Sequence, residues 1–389
     1  MANIWFRSYL SDRKQFVSIT NETSCKLPLK YSVPQGSILG PLLFIIYIND
    51  IPNINKLAKF ILYADDANII ITGSHISEIA TSFNELSQNL VQWVSANELA
   101  LNIRKTNYML FTRARNLNLD SFAPKIANIP IERKRVARFL GVLVDDRLTW
   151  SNQISAIKTK MSRFIGTLYK LKSTLPLTVR LTIYNSLVQS HLNYCSLLWG
   201  TSCKSNIEKL FTAQKKAIRG IMPGFTNYFY KDGLHPTHTK PFFTDFHILT
   251  VHNIVLKNIF IFFNNLQYFS NTIPLSIRQL IPNDSPSQTQ VPDYCSEWYT
   301  KYNSYPYNRS VFFKGPLLYT DIISSEPEFY SPNISKASFK TKIKNFLLSI
   351  QGAGDNNEWE SANFKLMAIS GLRRSERIIA QNIPPAGGC

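Results

Sequence analysis

Apolar positions along this chain follow two rhythms, and the rhythm changes near Trp150. Before that point, short runs alternate in type. Trp5 to Leu10 carries helical spacing, Ser11-Asp12-Arg13 reads as a turn, and Gln15 to Thr20 reads as a strand. Pro34-Gln35-Gly36 then breaks the chain. The apolar run from Ile38 to Ile48 predicts a buried helix starting near Gly40, because Pro41 is well tolerated in a first turn. Lys59 to Thr72 reads as two strands, KFILY and NIIIT, around a tight Ala64-Asp65-Asp66-Ala67 link, since Asp suits turns. Ile79, Phe83, Leu86, Leu90 and Trp93 fall on one helical face, with Ser77 as candidate cap. Tyr108 to Thr112 and Val136 to Val144 are strand-like.

From Trp150 onward the period is helical. Ile154, Ile157, Met161, Ile165, Leu168 and Leu171 form one stripe. Leu181, Tyr184, Leu187, Val188 and His191 form a second, and Ile207, Leu210, Ala217, Ile218 and Ile221 a third. Ile248 to Leu266 is the greasiest stretch, but His252, Asn253, Lys257 and Asn258 interrupt it, so it reads as a buried helix rather than a membrane span. Residues 273–335 are rich in proline, from Pro274 to Pro332, and read mostly as loop. Ser338 to Ser349 predicts a short basic helix with Phe339, Ile343 and Phe346 on one side, and the tail from about residue 352 is expected to be mobile. No internal repeat is visible. An α/β segment followed by an all-helical one makes an α+β chain with a boundary between them.

Composition narrows the class. The chain has 389 residues, 44% hydrophobic and 13% aromatic, enough for two or three domains with real cores. Five scattered cysteines, Cys25, Cys195, Cys203, Cys295 and Cys389, show no CxxC spacing. A reduced, intracellular protein without a disulfide-linked partner is therefore expected. The start, MANIWFRSYLSDRK, carries charges where a signal peptide has its apolar core. Net charge is +18, unevenly spread: residues 111–220 hold 19 basic and 5 acidic side chains, while residues 1–110 hold 9 and 8. Such a cluster is the footprint of a phosphate-backbone binder, or else a well-solvated surface.

The sharpest chemical feature is Tyr63-Ala64-Asp65-Asp66. Adjacent carboxylates in a tight turn repel each other, and a divalent cation relieves that repulsion. Oxygen ligands suit Mg²⁺, although a plain solvated Asp-Asp turn fits the same residues. A second pair, Asp145-Asp146, precedes a helix and reads better as its cap or as a partner of Arg147. His235, His238, His247 and His252 lack cysteines at ligand spacing, which argues against zinc.

Four strings in order set these residues in context: VPQGSILGPLLFIIYINDI from Val33, the YADD hairpin, LNIRKTNYMLF from Leu101, and RFLGVLVDDRLTW from Arg138. This order resembles the successive palm motifs of reverse transcriptases, in wording most similar to jockey-like and other LINE-like non-long-terminal-repeat retrotransposons. The resemblance covers about residues 1–150, and the helical segment to about 260, including QKKAIRGI, also looks like the family's thumb and beyond. It implies a partial palm of antiparallel strands with helices (1–147), a helical thumb-like domain (148–225) and an irregular carboxy-terminal region (226–389). It implies RNA-directed DNA synthesis with two Mg²⁺ ions, an RNA template, a DNA primer and deoxynucleoside triphosphates, in nucleus or cytoplasm.

Residue by residue, Asp65 and Asp66 would be metal ligands, with Asp65 the more direct. Tyr63 and Ala64 would lie beside the primer end. Pro34, Gln35 and Gly36 would position template base and nucleotide. Lys105 would act as general acid toward pyrophosphate, and Phe139, Leu140 and Gly141 would form the primer grip. A solvated surface lysine and ordinary core are the competing readings for Lys105 and for Phe139-Leu140. Phosphate contacts are expected from Arg135, Arg138, Lys158, Lys160, Arg163, Lys215 and Lys216, together with Arg113, Arg115, Arg133, Lys134, Lys170 and Arg219. The family has a further catalytic aspartate upstream of the segment that begins here at Trp5, and only four residues precede it. The expectation is an amino-terminally truncated enzyme, inert alone; the alternatives are a catalytically dead nucleic-acid binder or a retrotransposon remnant.

Overall fold

The computed structural model describes residues 2–29, 33, 36–112, 122–222, 239–269 and 334–352, with isolated positions 271, 273, 274, 277 and 319. The chain forms two compact units, Met1–Lys134 and Arg135–Cys389.

The first unit begins with helix α1 (Ala2–Leu10) and four two-residue strands: β1 (Lys14–Gln15), β2 (Ser18–Ile19), β3 (Glu22–Thr23) and β4 (Leu27–Pro28). Strand β1 pairs with β4 and β2 with β3, both antiparallel. Helix α2 (Leu39–Tyr47) and a 3-10 turn (Ile51–Ile54) lead to strands β5 (Lys59–Tyr63) and β6 (Asp66–Ile70). Helix α3 (Ile76–Ala96) follows, then β7 (Asn107–Tyr108), β8 (Lys125–Ile126), β9 (Ile129–Pro130) and β10 (Glu132–Arg133). The α3 stripe buries Leu86 and Leu90, and Phe122, Ile126 and Ile131 complete a small core. The Ser87 hydroxyl donates to the Lys125 carbonyl at 2.9 Å, and the Asn89 amide donates to the Ile54 carbonyl at 2.9 Å.

Three expectations change here. Helix α3 starts one residue before Ser77, with extended His75 as its cap residue; instead of a Ser77 cap, Glu78 Oε2 accepts from the Ser74 N–H at 2.8 Å. Helix α2 forms where expected, but only Gly40 is buried, and Leu42, Ile45 and Ile46 are exposed. Strand pairing among the described residues is confined to six two-stranded ladders rather than one wider palm sheet, and β7–β10 runs parallel. Without a broad sheet to lie on, α2 has little to bury its apolar face against.

The second unit opens with the hairpin β11 (Val136–Phe139) and β12 (Val142–Asp145). Helices α4 (Ser151–Leu171) and α5 (Leu177–Tyr184), a π turn (Asn185–Gln189), α6 (Ser190–Asn193), α7 (Ser196–Trp199) and α8 (Lys204–Ile221) follow. Beyond them lie α9 (Lys240–Asp245), α10 (Val251–Tyr268) and α11 (Lys336–Gly352). The first and third sequence stripes are core: Ile154, Ile157, Met161, Ile165 and Leu168 on α4, and Ile207, Leu210, Ala217, Ile218 and Ile221 on α8, are buried. The second stripe is broken. The π turn adds residues to one turn and shifts the phase, so Tyr184 and Val188 are buried while Leu187 is exposed.

Buried amides fasten the carboxy-terminal helix to this core. Gln214 Oε1 accepts from the Val251 N–H at 2.8 Å. The Gln351 amide accepts from the Thr250 N–H at 3.0 Å and donates to the Ile248 carbonyl at 2.9 Å. Each bond satisfies a buried backbone group at the start of α10 that has no partner within its own helix. Helix α11 is thus built into the fold, with Phe339, Ile343 and Leu347 in the same core. The proline-rich stretch and the tail after 352 lie outside the described residues, apart from the isolated positions and the start of α11. No described helix is long and apolar enough to cross a membrane.

Candidate functional site

The carboxylate hairpin is built by register. Phe60 faces Ile69 and Leu62 faces Ala67, while Ile61 faces Asn68 and Tyr63 faces Asp66. Side chains alternate faces along a strand, so Tyr63 and Asp66 stand opposite each other on one face. Phe60 and Leu62, half-buried on the other face, anchor the hairpin and leave Tyr63 62% exposed. The link is two residues, Ala64 and Asp65, and Asp66 opens the second strand instead of lying in the turn. Two-residue hairpins demand left-handed backbone, and Ala64 adopts it at φ 50°. That conformation disfavours a Cβ, so mild strain sits at the tip where Asp65 and Asp66 are both exposed.

Upstream, Gly36 holds φ 77°, and an added Cβ would meet nothing within 4 Å. Backbone conformation, not space, requires glycine, and the surface there stays open to a ligand. Pro34 and Gln35 lie outside the described residues. Lys105 sits in a turn after α3. Its N–H donates to Asn102 Oδ1 at 3.2 Å, and the Asn107 amide donates to its carbonyl at 3.1 Å. The ammonium is exposed, and among the described residues no ion pair joins it to Asp65 or Asp66.

The second unit carries the Phe139-Leu140-Gly141 turn. Leu140 and Gly141 have φ 45° and 83°, the double left-handed geometry of a tight hairpin link. The Tyr194 hydroxyl, 54 residues later, donates to the Leu140 carbonyl at 2.6 Å. The Leu143 N–H donates to Gln153 Oε1 at 2.9 Å, tying the hairpin to α4. No sequence signal announces Tyr194 or Gln153 as supports, because the bonds join residues remote in sequence or facing inward.

Asp145 is buried and acts on backbone. Its Oδ1 accepts from the N–H groups of Arg147 (3.2 Å) and Thr149 (2.9 Å), and Oδ2 from that of Trp150 (2.8 Å). These bonds hold the left-handed residues Leu148 and Trp150 ahead of α4. Arg147 is engaged through its amide rather than its guanidinium. Of the four histidines, His247 is exposed, and buried His252 packs edge-on against Phe211 and lies 3.4 Å from Glu208 Oε1. His235 and His238 fall outside the described residues, among which no three His, Cys, Asp or Glu side chains converge.

The basic field lies on helical surfaces. Helix α4 holds no acidic residue, and Lys160, Arg163 and Lys170 point away from its buried stripe, with Lys158 exposed on the flank. On α8, Lys216 is exposed and Lys215 sits 4.5 Å over the Phe211 ring. Arg135 and Arg138 are exposed on the β11 hairpin. Arg113 and Arg115 fall outside the described residues.

Residues 1–144 match the reverse transcriptase (RNA-dependent DNA polymerase) family. The chain is 29% identical over 222 residues to the probable RNA-directed DNA polymerase from transposon X-element of Drosophila melanogaster, covering 55% of this chain and 24% of that protein. It is 30% identical over 230 residues to the probable RNA-directed DNA polymerase from transposon BS of the same fly, covering 55% and 25%. To the RNA-directed DNA polymerase from mobile element jockey it is 26% identical over 228 residues, covering 55% and 24%. The chain thus spans about a quarter of the length of these curated relatives. No solved structure matches.

Proposed function

We propose, on the premise that residues 1–144 belong to the reverse transcriptase family and that the chain is kin to the polymerases of jockey-like and other non-long-terminal-repeat retrotransposons, that this polypeptide is the carboxylate-hairpin and thumb part of an RNA-directed DNA polymerase from a mobile element. Residues 1–147 serve as fingers and palm, 148–225 as thumb, and 226–389 as an accessory region, acting in nucleus or cytoplasm. The observation that carries this reading is the hairpin tip: two adjacent, exposed carboxylates, Asp65 in a strained two-residue turn and Asp66 opening the next strand, beside an exposed Tyr63.

The donor set suits a hard cation. Asp65 and Asp66 offer only oxygen ligands, as Mg²⁺ prefers, and solvent and substrate phosphates have room to complete its shell. Two Mg²⁺ ions there would activate the primer hydroxyl and stabilise the departing pyrophosphate. The chain's own residues do the rest. Tyr63 offers a ring face to the primer end, and Gly36, with Pro34 and Gln35, lets backbone approach template and nucleotide. Lys105 delivers a proton or positive charge to the leaving group. Phe139, Leu140 and Gly141, braced by Tyr194, grip the primer. Arg135, Arg138, Lys158, Lys160, Arg163, Lys215 and Lys216 neutralise phosphates without reading sequence.

Among the described residues no third ligating side chain joins the pair. The two-metal arrangement is then short of protein ligands, and we expect this chain by itself to bind RNA–DNA duplex without extending it. The acid-free basic face of α4 favours that binding reading. The test is primer extension on an RNA template with a DNA primer, Mg²⁺ and deoxynucleotides, beside Asp65→Ala, with duplex binding measured on the same preparations. Binding without extension is the expected result. Extension lost in Asp65→Ala would make the chain a complete enzyme, and absence of both binding and extension would refute the proposed function.

A further inference from the structure

Helix α11, KASFKTKIKNFLLSIQG, carries Lys336, Lys340, Lys342 and Lys344 and no acidic residue. Lys336, Lys340 and Lys344 recur every four residues, so their side chains rise along one edge at steps of about 6 Å. Like charges at that spacing destabilise a helix, so fold stability does not account for them. Beside them on α10 lies half-buried Lys257, whose ammonium donates to Asn193 Oδ1 at 3.4 Å. Burial, and then Lys344 and Lys340, hold its pKa below the ordinary lysine value. Two residues before Asn193, His191 stacks on Phe164 with ring centroids 5.9 Å apart. Burial and then the Lys160 ammonium hold this imidazole below its ordinary range. Among the described residues, Lys160, Lys257, Lys340 and Lys344 have no carboxylate at ion-pair distance.

Four elements packed in series, α4 on α6, α6 on α10 and α10 on α11, carry these basic side chains. We propose that His191, Lys257, Lys344, Lys340 and Lys336 form a track that continues from Lys160, itself a phosphate contact of the polymerase reading on which this inference rests, and holds the phosphate backbone of a nucleic-acid strand. A row of basic side chains, with lysines on α4, α10 and α11, matches a polyanion better than a single phosphate. A lipid surface fits poorly: the apolar residues Phe339, Ile343 and Leu347 are buried in the core, and exposed Lys340, Thr341, Lys342 and Lys344 offer nothing to insert.

The test measures fluorescence anisotropy of a labelled RNA–DNA duplex with the full chain from 50 to 200 mM salt. The variants are Lys340→Gln/Lys344→Gln, the charge-keeping Lys340→Arg/Lys344→Arg, and Lys158→Gln/Lys216→Gln as a separate probe of the polymerase-type surface. Loss of two phosphate contacts makes the log–log salt slope shallower by about 1.8, so the affinity gap to wild type shrinks about tenfold across that range. The arginine pair restores the wild-type slope. A Lys340→Gln/Lys344→Gln slope equal to wild type, while Lys158→Gln/Lys216→Gln is shallower, overturns the track and leaves the polymerase reading standing. No duplex binding by the wild-type chain overturns both.

Discussion

Replacing Asp145 separates a structural carboxylate from the candidate metal carboxylates. Asp145→Ala removes the acceptor of three backbone N–H groups, those of Arg147, Thr149 and Trp150. Hydrogen bonds to a charged group are worth about 1.5–3 kcal/mol each, but three bonds to one carboxylate are not additive, and water can reach part of this turn in the variant. The expected loss is about 3 kcal/mol in the unit Arg135–Cys389. For a domain of that size it lowers the melting temperature by roughly 6–12 °C. Asp145→Asn keeps one acceptor oxygen and should lose about half as much. Urea denaturation followed by circular dichroism gives the free energy, and repeating it with Mg²⁺ shows whether metal is involved. A loss within 0.5 kcal/mol of zero, or a loss that depends on Mg²⁺, would refute the assignment of Asp145 to the backbone.

The other expectations are smaller. Asp65→Ala, exposed at its hairpin tip, should leave stability within about 0.5 kcal/mol of wild type in the same assay. Ala64→Gly should relieve the left-handed strain and stabilise the hairpin by up to about 1 kcal/mol, read by hydrogen exchange of its ladder amides. Tyr194→Phe removes the bond to the Leu140 carbonyl and should cost about 1 kcal/mol in urea denaturation. Glu208 is held below its ordinary value of 4.5, first by its hydrogen bond with His252. A depressed carboxylate contributes stability that is complete above that value and is lost as pH falls through the folded-state pKa. His252→Gln should therefore flatten the fall in stability below about pH 4.5, as followed by melting temperature against pH.

Much of this was legible where one physical period dominated. The α4 and α8 stripes appear in the sequence as they do in the core, because a long helix with one buried face leaves no freedom of phase. The hairpin tip was legible because two apolar strands flank a short link containing Asp65, although Asp66 belongs to the second strand rather than the turn. Leu187 was misplaced because a π turn resets the phase, and sequence spacing alone does not register that. Ser77 was misassigned because a helix start depends on backbone angles at His75, and Glu78 does the bonding instead. The exposure of α2 was invisible because an apolar run says what a helix would bury, not whether a partner surface is present. Tyr194, Gln153 and Gln351 act through bonds across the fold, which no local pattern encodes.

The central claim is that the divalent ion binds at Asp65 and Asp66. Mn²⁺ shares the oxygen-ligand chemistry of Mg²⁺ and is paramagnetic, so electron paramagnetic resonance counts the bound ion directly. In the presence of primer–template duplex and a deoxynucleoside triphosphate, the wild-type chain should bind Mn²⁺ beyond what the duplex and nucleotide hold alone. The Asp65→Ala/Asp66→Ala variant, equally folded, should not. Equal Mn²⁺ binding by wild type and variant would contradict the account.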